Sequence, residues 1–160
     1  MWPGCWRRCW NRGLSAEAPS ALDLPVEAYD AVDLLTPNQV EAEFLVGVRV
    51  TDAASAEAAA DELLARGANA VIVKLGEDGA YFASRLERGL VPSFPVRVED
   101  TVAAGDAFAG ALAVALSQGG TMEDAVRYGC AAGALAVTRS GAQDAMPTRA
   151  EVDALAQSGR

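Results

Sequence analysis

Asp100-Thr-Val-Ala-Ala-Gly-Asp-Ala-Phe108 is the stretch on which the reading of the fold turns. A carboxylate, a run of small residues and a glycine stand directly before an apolar segment, Gly105 to Ser117, that stops at Gly119-Gly120. This is the pattern of a tight turn feeding a helix, because glycine tolerates the turn and lets a ligand approach the backbone. The N–H groups of Ala103, Ala104 and Gly105 are then expected to point out of a helix start, where free donors and the helix dipole favour an anion such as a phosphate. Asp106, in the same turn, has two readings. It accepts the proton of a substrate hydroxyl that attacks phosphorus, or it caps its own helix, a common task for aspartate. The chain has no G-x-x-x-x-G-K-[ST] run, so the anion site is not a P-loop.

Upstream of this turn, strand-like and helix-like pieces alternate. Ala31-Val-Asp-Leu-Leu35 reads as a short strand closed by Thr36-Pro37, and Gln39 to Val46 as a short helix. Ser55 is the expected N-cap of an alanine-rich helix, Ala56 to Arg66, stopped by Gly67. Ala70-Val-Ile-Val-Lys-Leu75 is a β-branched run of the kind buried in parallel sheets. Gly76 and Gly79 bracket a turn into a second strand, Ala80 to Ala83, and shorter extended pieces follow at Gly89 to Phe94 and Val96 to Val98. Downstream, Thr121 is expected to cap a helix running to about Thr138, and Thr148-Arg-Ala-Glu151 is a capping box that opens a last helix. The alternation predicts one α/β layer structure.

Two further elements carry chemistry. In Thr36-Pro-Asn-Gln-Val-Glu41, Asn38 and Glu41 are spaced to share one helix face. An amide and a carboxylate so placed suit phosphate oxygens and a hydrated magnesium, and equally suit a plain helix start with an Asn cap. Lys74-Leu-Gly-Glu-Asp-Gly79 ends a strand in a glycine turn and contains the only lysine of the chain. It reads either as a surface on which adenine lies against Gly76 and Gly79, or as an ordinary hairpin turn.

Composition excludes several classes. The 160 residues, 51% hydrophobic, suffice for a core without disulfides. A net charge of −9 leaves no electrostatic footprint for nucleic acid. The absence of histidine removes Ser-His-Asp and Cys-His nucleophile pairs and histidine-ligated metals. The three cysteines, Cys5, Cys9 and Cys130, form no C-x-x-C pair and suit a reducing compartment. With no long apolar run, a cytoplasmic protein that spans no membrane is expected. Residues 1–20 are atypical: they hold all three tryptophans, Trp2, Trp6 and Trp10, and Arg7, Arg8 and Arg12 against Glu17. They read as an interfacial anchor, a poorly ordered segment or out-of-frame coding sequence.

Together and in this order, the three elements resemble the ribokinase branch of the PfkB-type carbohydrate kinases. Asp100 to Asp106 is similar to that family's D-T-x-[AG]-A-G-D signature, and Thr36 to Glu41 to its N-x-x-E motif. Val137-Thr-Arg-Ser-Gly-Ala-Gln-Asp-Ala-Met-Pro147, followed by Thr148 to Val152, resembles the closing segment of ribokinases. The resemblance implies an α/β, ribokinase-like three-layer fold. Residues 21–160 would be its C-terminal, ATP-binding and catalytic-base half, without the N-terminal sugar-binding and lid strands. It implies ATP-dependent phosphorylation of D-ribose at its primary hydroxyl, with ATP, magnesium and potassium as cofactors. The fragment alone is expected to be impaired. The intact enzyme is expected to be able to form a homodimer, which this chain would not form normally without the lid.

Residue by residue, the resemblance makes Asp106 the general base and the amides around Ala104 and Gly105 the anion hole. Asn38 and Glu41 would serve the nucleotide phosphates and magnesium, and Lys74, Leu75, Gly76, Glu77, Asp78 and Gly79 would line adenosine, with Cys130 as a further nucleotide contact. A monovalent cation would be held by the Asp100 carboxylate and by backbone oxygens of Val102, Ala136, Arg139 and Gly141; Ala145 stands where the family often has serine. Two alternatives accompany this reading: a kinase for another sugar or a nucleoside, and a non-catalytic nucleotide-binding module that partners a separate chain.

Overall fold

The computed structural model describes Tyr29 and residues 31–158; the atypical segment 1–20 lies outside the described residues. The chain divides into two compact units, Met1–Leu90 and Val91–Arg160.

Among the described residues, the first unit holds a small sheet on which helices α1 (Gln39–Val46) and α2 (Ala53–Ala65) pack. Helix α1 starts at Asn38 and ends at Gly47, whose φ of 73° closes the last turn. Helix α2 begins three residues earlier than a Ser55 cap would put it. Asp52 is the N-cap: its backbone is extended and its side chain accepts the Ser55 N–H at 2.8 Å. Ser55 returns the bond, its Oγ accepting the Asp52 N–H at 3.0 Å, so both residues belong to one capping box. Gly67, at φ 115°, stops the helix as expected.

Strand β1 (Ala70–Lys74) pairs antiparallel with β2 (Ala80–Ser84), in register from Ala70 opposite Ser84 to Lys74 opposite Ala80. Strand β3 (Arg88–Val91) lies next to β2, giving the order β1-β2-β3. The expected strand at Ala31–Leu35 is reduced to two parallel bridges, Leu35 with Val71 and Asn38 with Lys74. The Leu35 N–H donates to Ala70 O at 3.0 Å and the Lys74 N–H donates to Pro37 O at 2.9 Å, but Pro37 has no N–H to return, which interrupts the ladder. Among the described residues after Val91 no strand forms, and Pro92 and Pro95 remove donors from the expected extended pieces. Leu35, Leu45, Val50, Leu63, Val71, Val73 and Tyr81 fill the core of this unit.

The second unit is helical. Helix α3 (Ala104–Ser117), helix α4 (Met122–Ala136) and helix α5 (Arg149–Gln157) follow one another, α4 packing on both of its neighbours. Thr121 caps α4, accepting the Asp124 N–H, and Thr148 and Glu151 form the expected box at the start of α5. The core between these helices is made largely of alanine: Ala103, Ala107, Ala131, Ala132, Ala136 and Ala145, with Val152. Such small side chains allow close approach. A Cβ on Gly129 would sit 2.9 Å from the Phe108 ring, and one on Gly133 would sit 3.4 Å from the Ala104 carbonyl oxygen. Among the described residues no helix is long and apolar enough to cross a membrane.

Candidate active site

Helix α3 begins without a side-chain cap. Its N-cap is Ala103, a residue with no hydrogen-bonding side chain, and Asp106 stands exposed in the first turn. The capping alternative for Asp106 is therefore not realised. The amides differ from expectation: Ala103 is buried and the Ala104 N–H donates to Thr101 O at 3.3 Å. The first-turn donors left for a ligand or water are those of Gly105 and Asp106, following the rule that helix starts leave amides unsatisfied. A carboxylate and amide donors thus share one uncapped turn, with Gly105 supplying close backbone access.

The loop before this turn is stitched to the loop after α4. The Asp100 carboxylate accepts the Val102 N–H at 3.1 Å and the Gly141 N–H at 3.2 Å, and these amides hold its carboxyl below the usual carboxylate range. Gly141 sits at φ 98°, a conformation that side chains strain. The Val137 carbonyl accepts the N–H groups of Glu99 at 2.7 Å and Asp100 at 3.2 Å. The structure thus brings Asp100, Val102 and Gly141 together. The Ala136 carbonyl, on the last residue of α4, accepts the Arg139 N–H at 3.2 Å, and Ala145 is buried in the alanine core.

In the first unit, Asn38 and Glu41 are joined reciprocally. Asn38 Oδ1 accepts the Glu41 N–H at 2.9 Å, and Glu41 Oε2 accepts the Asn38 N–H at 2.7 Å. The Asn-cap alternative is therefore the one seen, and it leaves Glu41 Oε1 and the Asn38 amide nitrogen outside the box. The bridge between Asn38 and Lys74 sets this helix start beside the end of β1. From there a 3-10 turn, Gly76–Asp78, leads into β2, with the Leu75 N–H donating to Gly79 O at 2.8 Å. Gly76 (φ 62°) and Gly79 (φ 100°) make the turn; Glu77 and Asp78 are exposed, and the space that a Cβ on Gly76 would occupy is open.

Cys130 is buried. Its side chain is 6% exposed, within α4, and burial pushes the thiol up to about 12. A side chain so enclosed is packed as a small hydrophobe. One further residue emerges that sequence reading assigned only to a cap. Glu151 also receives the Arg139 guanidinium, which, ahead of the Thr148 hydroxyl and amide, holds its carboxyl down at about 2. No local motif links these two positions.

Helix α3 thus opens in an uncapped turn bearing Asp106, preceded by Asp100, whose carboxylate is anchored to the Val102 and Gly141 amides. Residues 11–149 match the family described as pfkB family carbohydrate kinase. The chain belongs to the pfkB family of carbohydrate kinases. A pfkB relative, the ribokinase of Haemophilus influenzae, is 39% identical over 134 residues, covering 84% of this chain and 44% of the relative. The deoxyribokinase of Salmonella typhi is 36% identical over 131 residues, covering 82% and 43% respectively. Among solved structures, Arabidopsis thaliana ribokinase complexed with ribose and ATP superposes with a TM-score of 0.80 at 33% identity, over 85% of this chain and 44% of that one. The fold is that of ribokinases, and the chain spans less than half the length of the pfkB relatives it matches.

Proposed function

We propose that this chain is the ATP-binding and catalytic-base portion of a sugar kinase that transfers the γ-phosphoryl group of ATP to the 5-hydroxyl of ribose. The observation that carries the reading is Asp106, exposed in the uncapped first turn of α3. In this reading Asp106 takes the proton of the sugar hydroxyl as its oxygen attacks phosphorus, and the bond to ADP breaks in line. The amides of Gly105 and Asp106, aided by the helix dipole, stabilise the charge on the transferred group. The Lys74–Gly79 turn receives the adenosine, and Asn38 and Glu41 act on the phosphates. The kinase-derived portion would be residues 21–160.

The donor sets fit the two cations unequally. Asp100, an anchored carboxylate among backbone oxygens, suits a large, weakly hydrated monovalent ion such as potassium, with Val102, Arg139 and Gly141 offering carbonyls. The Ala136 carbonyl already serves the Arg139 N–H, so it would have to take the ion with its second lone pair. Glu41 has one oxygen outside its capping box, which suits magnesium, an ion that keeps several waters and takes few protein ligands. Magnesium supplies charge neutralisation at the phosphates when bound.

Ribose is favoured over deoxyribose or fructose by the closing segment, Val137 to Val152, and by the ribokinases among the relatives. Because the chain spans 44% of its ribokinase relative, we expect ATP binding with little transfer by the chain alone. Losing the positioning of a reactant costs about 7–11 kcal/mol of barrier lowering. The same observation favours the second reading, a nucleotide-binding module completed by another polypeptide. The test is isothermal titration of the purified chain with ATP, followed by ADP release with ribose, deoxyribose and fructose, for wild type and Asp106→Asn. Absence of ATP binding sinks both readings, and robust ribose phosphorylation by the chain alone refutes the expected impairment. If a complementing sugar-binding half restores turnover, Asp106→Asn must remove it by about 100-fold or more, as loss of a general base does.

A further inference from the structure

The loop between α4 and α5 carries two of the candidate cation carbonyls, those of Arg139 and Gly141, and it is fastened on two sides. On one side Asp100 holds the Gly141 N–H at 3.2 Å, and the Val137 carbonyl holds the amides of Glu99 and Asp100. On the other side the Arg139 guanidinium is bound by Glu151 at the head of α5. Glu151 is already committed there: Oε2 accepts both the Thr148 N–H and the Thr148 hydroxyl at 2.7 Å, while Oε1 takes Arg139. One carboxylate therefore closes a helix start and clamps the loop that follows the preceding helix.

We infer that Glu151 is a positioning residue for the monovalent-cation site, acting through Arg139. The inference rests on the reading of the Asp100 loop as that site. A site made of carbonyls selects its ion by backbone geometry, so its affinity depends on how firmly the loop holds its register. A guanidinium is a planar fork with five donors, and pairing with a carboxylate fixes its orientation as well as its charge. The pair is 37% exposed on each side, a degree at which ion pairs add little to folding. Its effect falls on the loop instead. Without the pair, the loop that presents the carbonyls loses one of its two fastenings. The cation site thus depends on a residue that touches no ion.

Thermal unfolding of the whole chain, in potassium chloride and in tetramethylammonium chloride at equal ionic strength, tests this without any assay of activity. An ion that binds only the folded chain raises the unfolding midpoint by mass action. Wild type shows a potassium-specific rise. Glu151→Gln and Arg139→Gln lose it at the same concentration, with half-saturation shifted about 10- to 100-fold upward, the range found when groups that orient metal ligands are removed. The double variant is no worse than either single one, because both remove the same contact. Thr148→Ala weakens the same helix cap but spares the Arg139 pair, and it keeps the potassium rise. Retention of the full rise in Glu151→Gln or Arg139→Gln, or its equal loss in Thr148→Ala, overturns the positioning role. No potassium-specific rise in wild type overturns the cation reading itself, and the inference with it.

Discussion

The Gly141 N–H donates to the Asp100 carboxylate across 41 residues of sequence, at 3.2 Å, and fastens the loop after α4 to the turn that precedes Asp106. Gly141 reaches this position at φ 98°, where any side chain is strained whatever the space around it. Gly141→Ala is therefore expected to destabilise the chain by about 1 kcal/mol or more. Urea unfolding followed by circular dichroism measures this, and an unchanged midpoint would show that the loop relaxes without loss.

Asn38 has two duties that substitution can separate. It caps α1, and in the proposed function it also faces nucleotide phosphates. Asn38→Ala removes the cap and is expected to cost about 0.5–2 kcal/mol. Asn38→Asp keeps a capping oxygen, so stability stays near wild type, while the added charge weakens ATP binding. Unfolding curves paired with ATP titrations of both variants check the separation; wild-type ATP affinity in Asn38→Asp would remove this residue from the phosphate site.

The Cys130 thiol, buried in α4 and pushed up to about 12, is expected to resist thiol reagents at neutral pH, since the thiolate is the reactive species. In a Cys5→Ser, Cys9→Ser background, Ellman's reagent should label the folded chain slowly and the urea-unfolded chain at once. Rapid labelling of the folded chain would place Cys130 at an accessible surface.

Glu151 gives stability a small acid dependence, because the pair that lowers its carboxyl is 37% exposed on each side and is screened by solvent. The Arg139 guanidinium and Thr148 hold its carboxyl at about 2 against an ordinary 4.5, so over that interval the unfolded chain binds the proton more readily. The contribution is complete above 4.5 and is lost as pH falls towards 2. Urea midpoints across this interval should fall less steeply in Glu151→Gln than in wild type. Parallel curves would show that the pair does not persist in solution.

Helix ends were legible because their signals are local. Thr121, Thr148 with Glu151, and Gly67 each act within a few residues of themselves, and each does what its type predicts. Where two local signals compete, reading becomes ambiguous: Asp52 and Ser55 both cap well, and the earlier one took the position. Pairing across the chain was less legible. Ala31–Leu35 has strand-forming residues, yet the bridges run through Leu35 and Asn38 on either side of a proline that cannot donate. The motif around Asp106 was visible as a pattern, but the loss of the Ala104 amide to Thr101 depends on a turn that residue types alone do not specify. The Arg139–Glu151 contact was hidden because each residue already had a sufficient reading of its own.

Gly129 and Gly133 lend the alanine-rich second unit a different meaning. Phe108, whose ring leaves no room for a Cβ on Gly129, lies half a turn beyond Asp106 on the same helix, and Ala104, facing Gly133, opens that helix. The aim of the aspartate is thus governed by clearance on the neighbouring helix. Under the proposed function, drift at these two glycines would keep every residue of the signature in the chain and still tilt its first turn. A lineage could in this way lose the proposed activity without altering one residue of the motif.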